Sequence, residues 1–491
     1  MRGGRRRAAA GAAATLAALA LPAVVAAAPP PRSEASFGTP GLFPGYRPGV
    51  HDYVVRCHDA PVPVDAHASP PWRVAIGGRA FGDGDVSRAV PLSTGRAFTV
   101  TFRTAAGSRL YRYHVRCLPS NFPTYSFTRN APVSPAFFTA DDAFSKAQNR
   151  YAIIFDRNGV PLWWYPASAE GPRVFPSGHV LWFDTGLPGR GRWEVHRLDG
   201  SLVRVLPAAG SMPMDGHDLQ LLPNGDYLLG GRVRQTHVDT SAYGGSGDAD
   251  VLNARLQEVS PAGGLAWEWQ SQDHVSLGET GRWWPYAVKH SPATGNAYDL
   301  VHWNSIEPDG RSVIASFRTL DAVYKIIKAT GRIAWKLGGT RTPRSLTVEG
   351  DPDAPTLAGQ HDARLLPDGT LTVFDNRTSL TGPIPDPQPR AVRYRIDPGT
   401  RTATLVESIR DPAVTRSYCC GSARRLPDGD WLIDWAQGSG AIGGYEPDGT
   451  RTFLLRFDST FSYRAQPVPA GALSIGDLRQ GMNARCASGC G

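Results

Sequence analysis

The sequence predicts an all-β protein in which a six-bladed β-propeller follows a small β-sandwich. Turn signals recur between short apolar runs along most of the chain, and helical heptads are absent. The 54 glycines and 42 prolines stand between these apolar runs instead of forming one tract, which is typical of a turn-rich globular protein. With 491 residues, the chain is long enough for two or three domains and a large core.

The repeating unit across residues 145–475 is a hairpin, and two kinds of hairpin alternate. The first kind holds an apolar run, a tight turn such as Pro-Asp-Gly and a second apolar run. Its copies are His217–Gly231, His302–Arg318, Gly359–Asn376 and Gly421–Ala436, with Val174–Phe183 as a copy that lacks the histidine. The second kind has a turn followed by apolar or aromatic residues, in Phe155–Trp164, His196–Leu206, Glu258–Trp269, Lys325–Leu337, Tyr394–Val406 and Tyr445–Leu455.

One hairpin of each kind makes a four-stranded unit, and Phe461–Ile475 is the candidate for the remaining hairpin. Six such units of roughly 45–60 residues or more predict six four-stranded blades. The stretch between Pro223 and Pro308 is longer than one unit and includes an aromatic loop, Arg282–His290. Long loops on a compact scaffold are usually functional or disordered.

Three of the hairpins carry a histidine at the same position, six residues before the turn proline: His217, His302 and His361. Gly421–Ala436 has glycine at that place. Because equivalent positions in successive blades are related by rotation about the central channel, the sequence predicts a ring of three histidines facing one axis.

Two further side chains are predicted to join this ring. Arg318 lies as far after Gly310 as His302 lies before it, so a regular hairpin places Arg318 across from His302. Asn304 would share the face of His302 if the strand is regular. In contrast, Asp218 and Asp362 directly follow histidines and should face the other side, where hydrogen bonding between blades is expected.

Three imidazoles beside a guanidinium suit anion chemistry. Arginine pairs with sulfate or phosphate oxygens through a planar fork, and a neutral imidazole is a competent nucleophile near pH 7. The alternatives are structural histidines or a zinc site with three histidine ligands, although no acidic ligand stands in phase. The prediction is therefore that the protein uses no metal and no other cofactor.

Four aromatic residues are predicted to hold a flat substrate ring by stacking: Trp283, Trp284, Tyr286 and Trp303. Ordinary packing inside a blade is the alternative for each of them. The net charge of +8 is spread along the chain without a dense Lys/Arg block or a nucleic-acid motif. Anionic small substrates are therefore the expected partners, and nucleic acid is not.

Residues 1–28 are predicted to be a signal peptide, with basic residues at Arg2–Arg7 and an apolar run at Ala8–Ala20. An uncleaved anchor is the alternative, and no later segment has the length of apolar sequence that a membrane span needs. The predicted location is therefore secreted or periplasmic. In such a compartment, six cysteines favour disulfides.

Residues 37–124 are predicted to form the small β-sandwich. Tyr53–Cys57 and Tyr113–Cys117 echo each other, and a Cys57–Cys117 bridge between the first and last strands is expected. Such a bridge would contribute roughly 4 kcal/mol on the chain-entropy model. The other cysteines, at positions 419, 420, 486 and 490, allow three pairings, and residues 476–491 form a cysteine-containing tail.

Several short segments form one specific motif set: His302–Ser305, Ala315–Arg318, Val323–Ile326 with Gly331 and Trp335–Gly339, Gln360–Arg364 with Phe374–Asn376, and His217-Asp218 with its Leu-Pro-Asn-Gly turn. Together they resemble the arylsulfotransferase family over residues 145–475. The resemblance implies an exported six-bladed propeller that moves a sulfuryl group from an aryl sulfate to a phenol. It further implies a ping-pong cycle through a sulfated histidine, without a nucleotide sulfate donor.

The resemblance also implies roles for single residues. His361 matches the nucleophile, and Arg318 matches the sulfate-binding arginine. His217 and His302 match the histidines around the sulfuryl group, one of which is expected to protonate the leaving phenolate and deprotonate the acceptor. Asn304 matches the asparagine of the His-x-Asn motif. The section before residue 124 and the cysteine tail lie outside the resemblance, so donor, acceptor and oligomeric state are open.

Two other classes of function are consistent with the sequence. One is an exported binding propeller, of adhesin or lectin type, that keeps the histidine ring as an anion pocket. The other is a metal- or quinone-dependent propeller enzyme. Release of phenol from an aryl sulfate separates the first alternative from a sulfotransferase, and elemental analysis with a visible spectrum tests the second.

Overall fold

The computed structural model describes residues 28–57, 60–142, 150–186, 191–291, 295–487 and 490. The predicted all-β class is confirmed, because strands far outnumber helices in these ranges. The predicted signal peptide lies outside them except for Ala28. In the same ranges, no helix combines the length and the apolar character that a bilayer-spanning segment requires.

The first two sheets share one core. Their strands are β1 (Ala35–Gly38), β2 (Asp52–Arg56), β3 (Val62–Ala68), β4 (Trp72–Ile76), β5 (Gly84–Val90), β6 (Ala97–Thr104) and β7 (Leu110–Leu118). One sheet has the order β1-β3-β5 and the other β2-β7-β6-β4. Buried and exposed residues alternate along β3, as expected where one strand face packs on a core. That core includes Phe37, Tyr53, Trp72 and Phe102, and two sheets packed in this way are what a β-sandwich requires.

The predicted disulfide between Cys57 and Cys117 is present, with 5.5 Å between the Cα atoms. The bridge follows from strand pairing, because β2 and β7 are parallel neighbours with Val55 opposite Cys117. The prediction that it joins the first and last strands is wrong in one respect. The first strand is instead β1, which precedes β2 in the chain. Its buried residues alternate with partly exposed ones, and it pairs with β3 at the edge of the other sheet.

The remaining strands, in chain order, are β8 (Tyr125–Arg129), β9 (Phe137–Asp141), β10 (Tyr151–Asp156), β11 (Pro161–Pro166), β12 (Ala169–Val174), β13 (Val180–Asp184), β14 (Arg192–His196), β15 (Leu202–Leu206), β16 (Met214–Leu221), β17 (Tyr227–Val238), β18 (Ala249–Val259), β19 (Leu265–Gln270), β20 (Ala297–Asp299), β21 (Trp303–Asp309), β22 (Ser312–Phe317), β23 (Ala322–Ile327), β24 (Ile333–Gly338), β25 (Thr347–Glu349), β26 (His361–Leu365), β27 (Thr370–Asp375), β28 (Arg390–Asp397), β29 (Thr402–Ile409), β30 (Ser422–Arg425), β31 (Trp431–Asp434), β32 (Ala441–Tyr445), β33 (Arg451–Phe457) and β34 (Gln466–Pro467). The helices are α1 (Trp284–Lys289) and α2 (Ile475–Arg485), with short 3-10 turns at Ser241–Tyr243, Ser271–Asp273, Leu277–Trp283 and Arg318–Leu320.

In the described ranges these strands form six sheets, most of them simple meanders. β12 to β15, β16 to β19 and β21 to β24 each pair in chain order, and β20 lies beside β18. β26 to β29 form another meander that β25 extends. Two sheets combine distant parts of the chain, because β8 joins β30 to β33 and β34 joins β9 to β11. Each hairpin predicted from the repeats, apart from the last, is therefore a pair of adjacent strands in one sheet.

The last predicted hairpin, Phe461–Ile475, is wrong. It supplies only the short strand β34, which pairs with β9. Proline lacks the N–H that a ladder needs, so Pro467 suits the end of a short edge strand and not the middle of a hairpin. The boundary predicted at residue 145 falls between β9 and β10, which are neighbours in the same sheet.

The first strands of these sheets contact one another in sequence. β12 contacts β9 and β16, β16 contacts β21, β21 contacts β26, and β26 contacts β30. β30 in turn contacts β34, which pairs with β9. These strand contacts therefore form a closed series that returns to β9. The hairpins that carry the histidines start with strands of this series.

Asp218 confirms the prediction of hydrogen bonding between sheets. Its Oδ1 accepts from Nη2 of Arg173 on β12 at 2.9 Å, and its Oδ2 accepts from the backbone N–H of Ile306 on β21 at 3.0 Å. Nη2 of Arg364 on β26 lies 2.7 Å from Oδ2. Although burial opposes it, the charges of Arg364, Arg464 and Arg173 lower the pKa of Asp218. One ionised carboxylate thus ties four sheets together beneath His217.

Asp362 likewise links neighbouring sheets, those that hold β26 and β30. It accepts from the backbone N–H of Ala423 on β30 at 3.2 Å and from Nη2 of Arg424 at 2.8 Å. Arg364 Nε also donates to it, at 2.9 Å. The prediction for Asp362 is therefore confirmed as well.

Replacing Asp218 by asparagine should lower the free energy of unfolding by about 3–5 kcal/mol, because it leaves buried arginines without their counter-charge. The measurement is the melting temperature from a thermal scan. Asp273→Asn, at an exposed position, is the matched control. Equal melting temperatures for the two variants would contradict a stabilising role for the buried network.

The tail is helical and docked. α2 packs on β11, and Ser474 caps its N-terminus together with Asp477. Arg479 on α2 forms two 2.7 Å hydrogen bonds with the carboxylate of Asp52 on β2. The tail therefore connects the two N-terminal sheets to the sheet that holds β11. The pairing that the sequence left open is Cys419–Cys420 and Cys486–Cys490.

Candidate functional site

A cavity of about 870 Å³ is lined by residues at the starts of β12, β16 and β26 and just before β21 and β30. The structure brings His217, His302, His361 and Arg318 together in its wall. Tyr286, from the aromatic loop, also lines it. The rest of the wall includes Glu170, Phe183, Met214, Asp215, Arg232, Leu380, Tyr418, Cys419, Cys420 and Tyr463.

Strand irregularities aim the histidines into this cavity. The register shifts between Met214 and Leu219 in β16, and between His361 and Arg364 in β26. In β21 the shift lies just after Trp303, the residue that follows His302. Bulges bend a strand and re-aim its side chains, and they are common next to binding sites. The repeat phase therefore sets which residues enter the cavity, and the bulges set their direction.

His361 is buried and is hydrogen-bonded through both ring nitrogens. Its Nδ1 lies 2.7 Å from Oδ1 of Asn376 and 3.0 Å from the carbonyl oxygen of Gly359, so Nδ1 must carry the proton. Its Nε2 accepts a hydrogen bond from the backbone N–H of Cys420 at 3.2 Å. Burial, assisted by the charge of Arg318, lowers the pKa of His361 well below its usual range. The ring is thus neutral, with its lone pair on Nε2, and the residue lines the cavity.

Asn376 fixes this tautomer. Its Nδ2 donates to Oγ of Ser417 at 2.8 Å and to the carbonyl oxygen of Cys420 at 3.0 Å, which leaves Oδ1 to accept from His361. Asn376 belongs to one of the motifs in the sequence, but no role was predicted for it. A usable signal was present, since Asn376 ends the hairpin that His361 begins.

The fourth repeat copy has glycine in place of histidine for a steric reason. Gly421 has a φ of +96°, and a Cβ there would come within 2.5 Å of the ring of Phe374 and 2.6 Å of the carbonyl oxygen of Asp434. A side chain at this position is therefore excluded. Its neighbour Cys420 instead presents its backbone N–H to His361.

His217 and His302 contact each other directly, with 3.0 Å between their Nε2 atoms. Nδ1 of His302 lies 2.6 Å from Oδ2 of Asp299, and Nδ1 of His217 lies 2.9 Å from Oδ1 of Asp215. Neither carboxylate was predicted from the sequence. Asp215 is two residues from its histidine and could have been found there, whereas Asp299 belongs to β20, outside the hairpin pattern.

Arg318 lies across from His302, as the hairpin register predicted, and its backbone N–H donates to the carbonyl oxygen of His302 at 2.7 Å. Its guanidinium carbon stands 4.7 Å from the centre of the Trp283 ring. Nη2 donates to the carbonyl oxygen of Tyr418 at 3.4 Å, while Nε has no hydrogen-bond partner within the described residues. Burial lowers the pKa of Arg318, and Tyr286 opposes that change. The guanidinium retains donor capacity for an anion in the cavity.

The other predicted binding residues lie behind the cavity wall. Asn304 is buried, and its Nδ2 donates to the carbonyl oxygen of Gln360 at 2.7 Å. The register shift beside it removes it from the face of His302, contrary to the regular strand that the prediction assumed. Trp303 donates from Nε1 to Asp215 at 3.0 Å. Both residues thus contact the neighbours of the histidines.

Trp283 and Trp284 are also buried behind the wall. Nε1 of Trp283 donates to Asp321 at 2.9 Å, and the ring supports Arg318. Trp284 stacks on Tyr243 with 4.7 Å between the ring centres. Of the aromatic residues proposed from the sequence, Tyr286 therefore lies where a substrate ring could reach it.

Within the described residues, no group of three or more His, Cys, Asp or Glu side chains is arranged to hold a metal ion. The groups that converge on the cavity are instead a neutral imidazole, a histidine pair with two carboxylates, and a guanidinium. Such a set can bind an oxyanion, attack it and move a proton.

Several solved structures are similar to the chain at low identity. An auxiliary nutrient binding protein from Bacteroides ovatus ATCC 8483 is 10% identical, with 87% of this chain and 90% of that chain covered and a TM-score of 0.33. A chain of a nidogen/laminin complex is 10% identical, with coverage of 67% and 96% and a TM-score of 0.33. Hydrazine synthase from Kuenenia stuttgartiensis is 11% identical, with coverage of 74% and 96% and a TM-score of 0.28. These similarities are too weak to carry an argument.

No curated protein matches the chain. A family model described as arylsulfotransferase (ASST) matches residues 121–452. The matched range contains β8 to β32 and with them His217, His302, Arg318 and His361. Because the match covers more than half of the 491 residues, the chain belongs to the arylsulfotransferase family.

Proposed function

We propose that the protein is an exported sulfotransferase that moves a sulfuryl group from an aryl sulfate to a phenol through a sulfated His361. No nucleotide sulfate donor is needed. The observation that carries the proposal is the state of His361. Its Nδ1 proton is held by Asn376, its Nε2 accepts only a 3.2 Å hydrogen bond from the backbone N–H of Cys420, and the residue lines the same cavity as Arg318. Family membership supports the same class of reaction.

In the first half-reaction, Nε2 of His361 attacks the sulfur of the aryl sulfate and the bond from sulfur to the aryl oxygen breaks. Arg318 binds the sulfuryl oxygens through its planar fork. The backbone N–H of Cys420, which donates to Nε2 in the resting protein, is placed to donate to a sulfuryl oxygen. The departing phenolate takes a proton from the histidine pair, and the phenol leaves.

In the second half-reaction, an acceptor phenol occupies the same cavity. It loses its proton to the histidine pair as its oxygen attacks the sulfur and the bond from Nε2 to sulfur breaks. Phe183, Met214, Leu380 and Tyr418 in the cavity wall give the aryl ring apolar and aromatic contacts. Donor and acceptor therefore use one site in turn.

We also propose that the six sheets are the blades of one closed β-propeller. Their first strands contact in a series that returns to β9 through β34. The propeller then extends from β8 or β9 to β34, and the two N-terminal sheets form a separate sandwich domain. The Cys57–Cys117 and Cys486–Cys490 disulfides support export to an oxidising compartment, extracellular or periplasmic.

The test is an intact-mass measurement of the protein after mixing with 4-nitrophenyl sulfate. One sulfuryl adduct per chain is expected, and adding phenol should discharge it while phenyl sulfate forms. Absence of the adduct together with absence of nitrophenol release would overturn the proposal and leave a binding protein.

The formation of sulfo-enzyme should be insensitive to mild acid. The pKa of His361 is depressed below its usual value of 6.5, so the nucleophile stays neutral as the pH falls through 6.5. An unperturbed imidazole would lose about tenfold in its neutral form by pH 5.5. We expect the second-order rate constant with 4-nitrophenyl sulfate to change less than about twofold between pH 7.5 and 5.5. A tenfold decrease would contradict the depressed pKa.

A further inference from the structure

We propose that His217 and His302 hold one proton between their Nε2 atoms and that Asp215 and Asp299 position them, so that the pair acts as a single acid–base unit. This inference rests on the proposed sulfuryl transfer, and it assigns the proton that the transfer needs. Asp215 and Asp299 are positioning residues, because they act through the histidines.

The geometry places all four ring nitrogens opposite a polar partner. The two Nε2 atoms are 3.0 Å apart, and the ring planes are nearly perpendicular at 88°. Nδ1 of His302 is hydrogen-bonded to Asp299 at 2.6 Å. Nδ1 of His217 lies 2.9 Å from an oxygen of Asp215, but the angles there fall short of a hydrogen bond. Trp303 Nε1 donates to the other oxygen of Asp215 at 3.0 Å and so fixes that carboxylate.

Counting protons over these nitrogens disfavours a pair of two neutral rings, because each Nδ1 lies within 2.9 Å of a carboxylate oxygen. If each ring carried its proton on Nδ1, toward its carboxylate, two Nε2 lone pairs would face each other at 3.0 Å. If one ring carried its proton on Nε2 instead, its Nδ1 lone pair would face a carboxylate at hydrogen-bond distance. One additional proton between the Nε2 atoms removes both conflicts.

The charged or titratable groups that face the pair, besides its two aspartates, are Glu170, Arg232, Arg318, His361, Tyr463 and Arg464.

Arg232 bridges the two aspartates, because its Nε lies 3.6 Å from Asp215 and its Nη1 lies 3.6 Å from Asp299. The singly protonated pair, the two carboxylates and Arg232 together sum to zero charge, which favours burial of the group. Burial lowers the pKa of His302 to about 4, and His217 and Arg318 act in the same direction. A second proton on the pair is thus disfavoured at neutral pH. Despite burial, His302 and Arg232 lower the pKa of Asp299 to about 2, so it stays ionised.

The unit balances the two half-reactions. As the bond from sulfur to the donor oxygen breaks and the bond from His361 Nε2 to sulfur forms, the shared proton passes to the phenolate oxygen. The pair is then left with one proton fewer, and its two Nε2 lone pairs repel, which makes it a stronger base than a single imidazole. The proton of the acceptor hydroxyl restores the shared state as the acceptor oxygen bonds to sulfur.

The direct test is NMR spectroscopy of the full chain labelled with ¹⁵N-histidine. A strongly deshielded exchangeable proton coupled to two imidazole nitrogens is expected. It should disappear in His217→Gln and persist in His361→Asn, which removes the nucleophile but not the pair. An Nε2 proton coupled to a single nitrogen, or no such proton in the native protein, would overturn the inference.

A kinetic test separates positioning by Asp299 from a merely structural role. General acid catalysis contributes about 10²–10⁴-fold, and a leaving group that departs without a proton does not need it. Asp299→Asn should therefore slow transfer from phenyl sulfate by about 10²-fold, yet slow transfer from 4-nitrophenyl sulfate by less than about tenfold. Equal losses for both donors would mean that Asp299 only maintains the fold.

The exposed pair His237–Asp248, with 3.0 Å between Nδ1 and Oδ1, supplies the matched control. Asp248→Asn should leave both rates unchanged. The outcomes also separate this inference from the proposed function. A shared proton without sulfuryl transfer would overturn the proposed function, whereas transfer without a shared proton would overturn the inference and leave the sulfotransferase intact.

Discussion

His361→Asn should abolish the sulfuryl adduct and reduce transfer by on the order of 10⁴-fold or more, as expected when a nucleophile is removed. Asparagine is close in size and can keep a hydrogen bond to Asn376, but it has no nucleophilic nitrogen. The measurements are intact mass after mixing with 4-nitrophenyl sulfate and steady-state release of nitrophenol.

The matched control is His237→Asn, at an exposed position with a φ of +60° that asparagine accepts. This variant should form the adduct at the native rate. Because His361 is buried, the melting temperature of His361→Asn should be recorded alongside, so that unfolding is recognised. A folded His361→Asn variant that still carries the sulfuryl group would exclude His361 as the nucleophile.

Arg318→Lys should reduce kcat by about 10²–10³-fold with the donor, similar to the loss of one preorganised oxyanion donor elsewhere. Lysine keeps a positive charge but not the planar fork that matches sulfuryl oxygens. A buried lysine also loses its proton more readily, and burial already lowers the pKa of Arg318. The support from Trp283, at 4.7 Å, would be weakened as well.

The loss should appear in both half-reactions, since the sulfuryl oxygens must be held during donation and acceptance. Rapid mixing that follows nitrophenol release and then adduct discharge separates the two. Arg197→Lys, at an exposed position, is the control and should behave as the native protein. A variant that loses affinity for the donor but keeps its kcat would show that Arg318 binds the ground state and does not stabilise the transition state.

The fold class and the gathering of the histidines follow from periodicity. Each repeat copy contains its own turn residues and apolar runs, so the hairpins can be located without tertiary information. The phase of His217, His302 and His361 then brings them to one cavity, because the hairpins that carry them begin along the same series of contacting strands. Arg318 follows from hairpin register in the same way.

The supporting side chains could not be found in this manner. Asp299 reaches His302 from β20, a short strand added beside β18, and no repeat defines its position. The bulges were equally hidden, and the one after Trp303 moved Asn304 out of the face expected for it. Trp283 and Trp284 have rings that could stack on a substrate. Their indole N–H groups instead donate to acceptors inside the protein, and their rings are buried.

The position of β34 in the chain determines when the sheet that contains it can be completed during synthesis. It lies near the C-terminal end of the sequence but completes the sheet that β9 to β11 begin. Arg464, which lies two residues before β34 begins, donates to the carbonyl oxygens of His217 and Asn304, at 3.1 Å and 2.9 Å. A nascent chain that has already emerged past His361 therefore still lacks the guanidinium that braces two of its earlier segments. The backbone at His217 and Asn304 is therefore braced only after Arg464 has been synthesised.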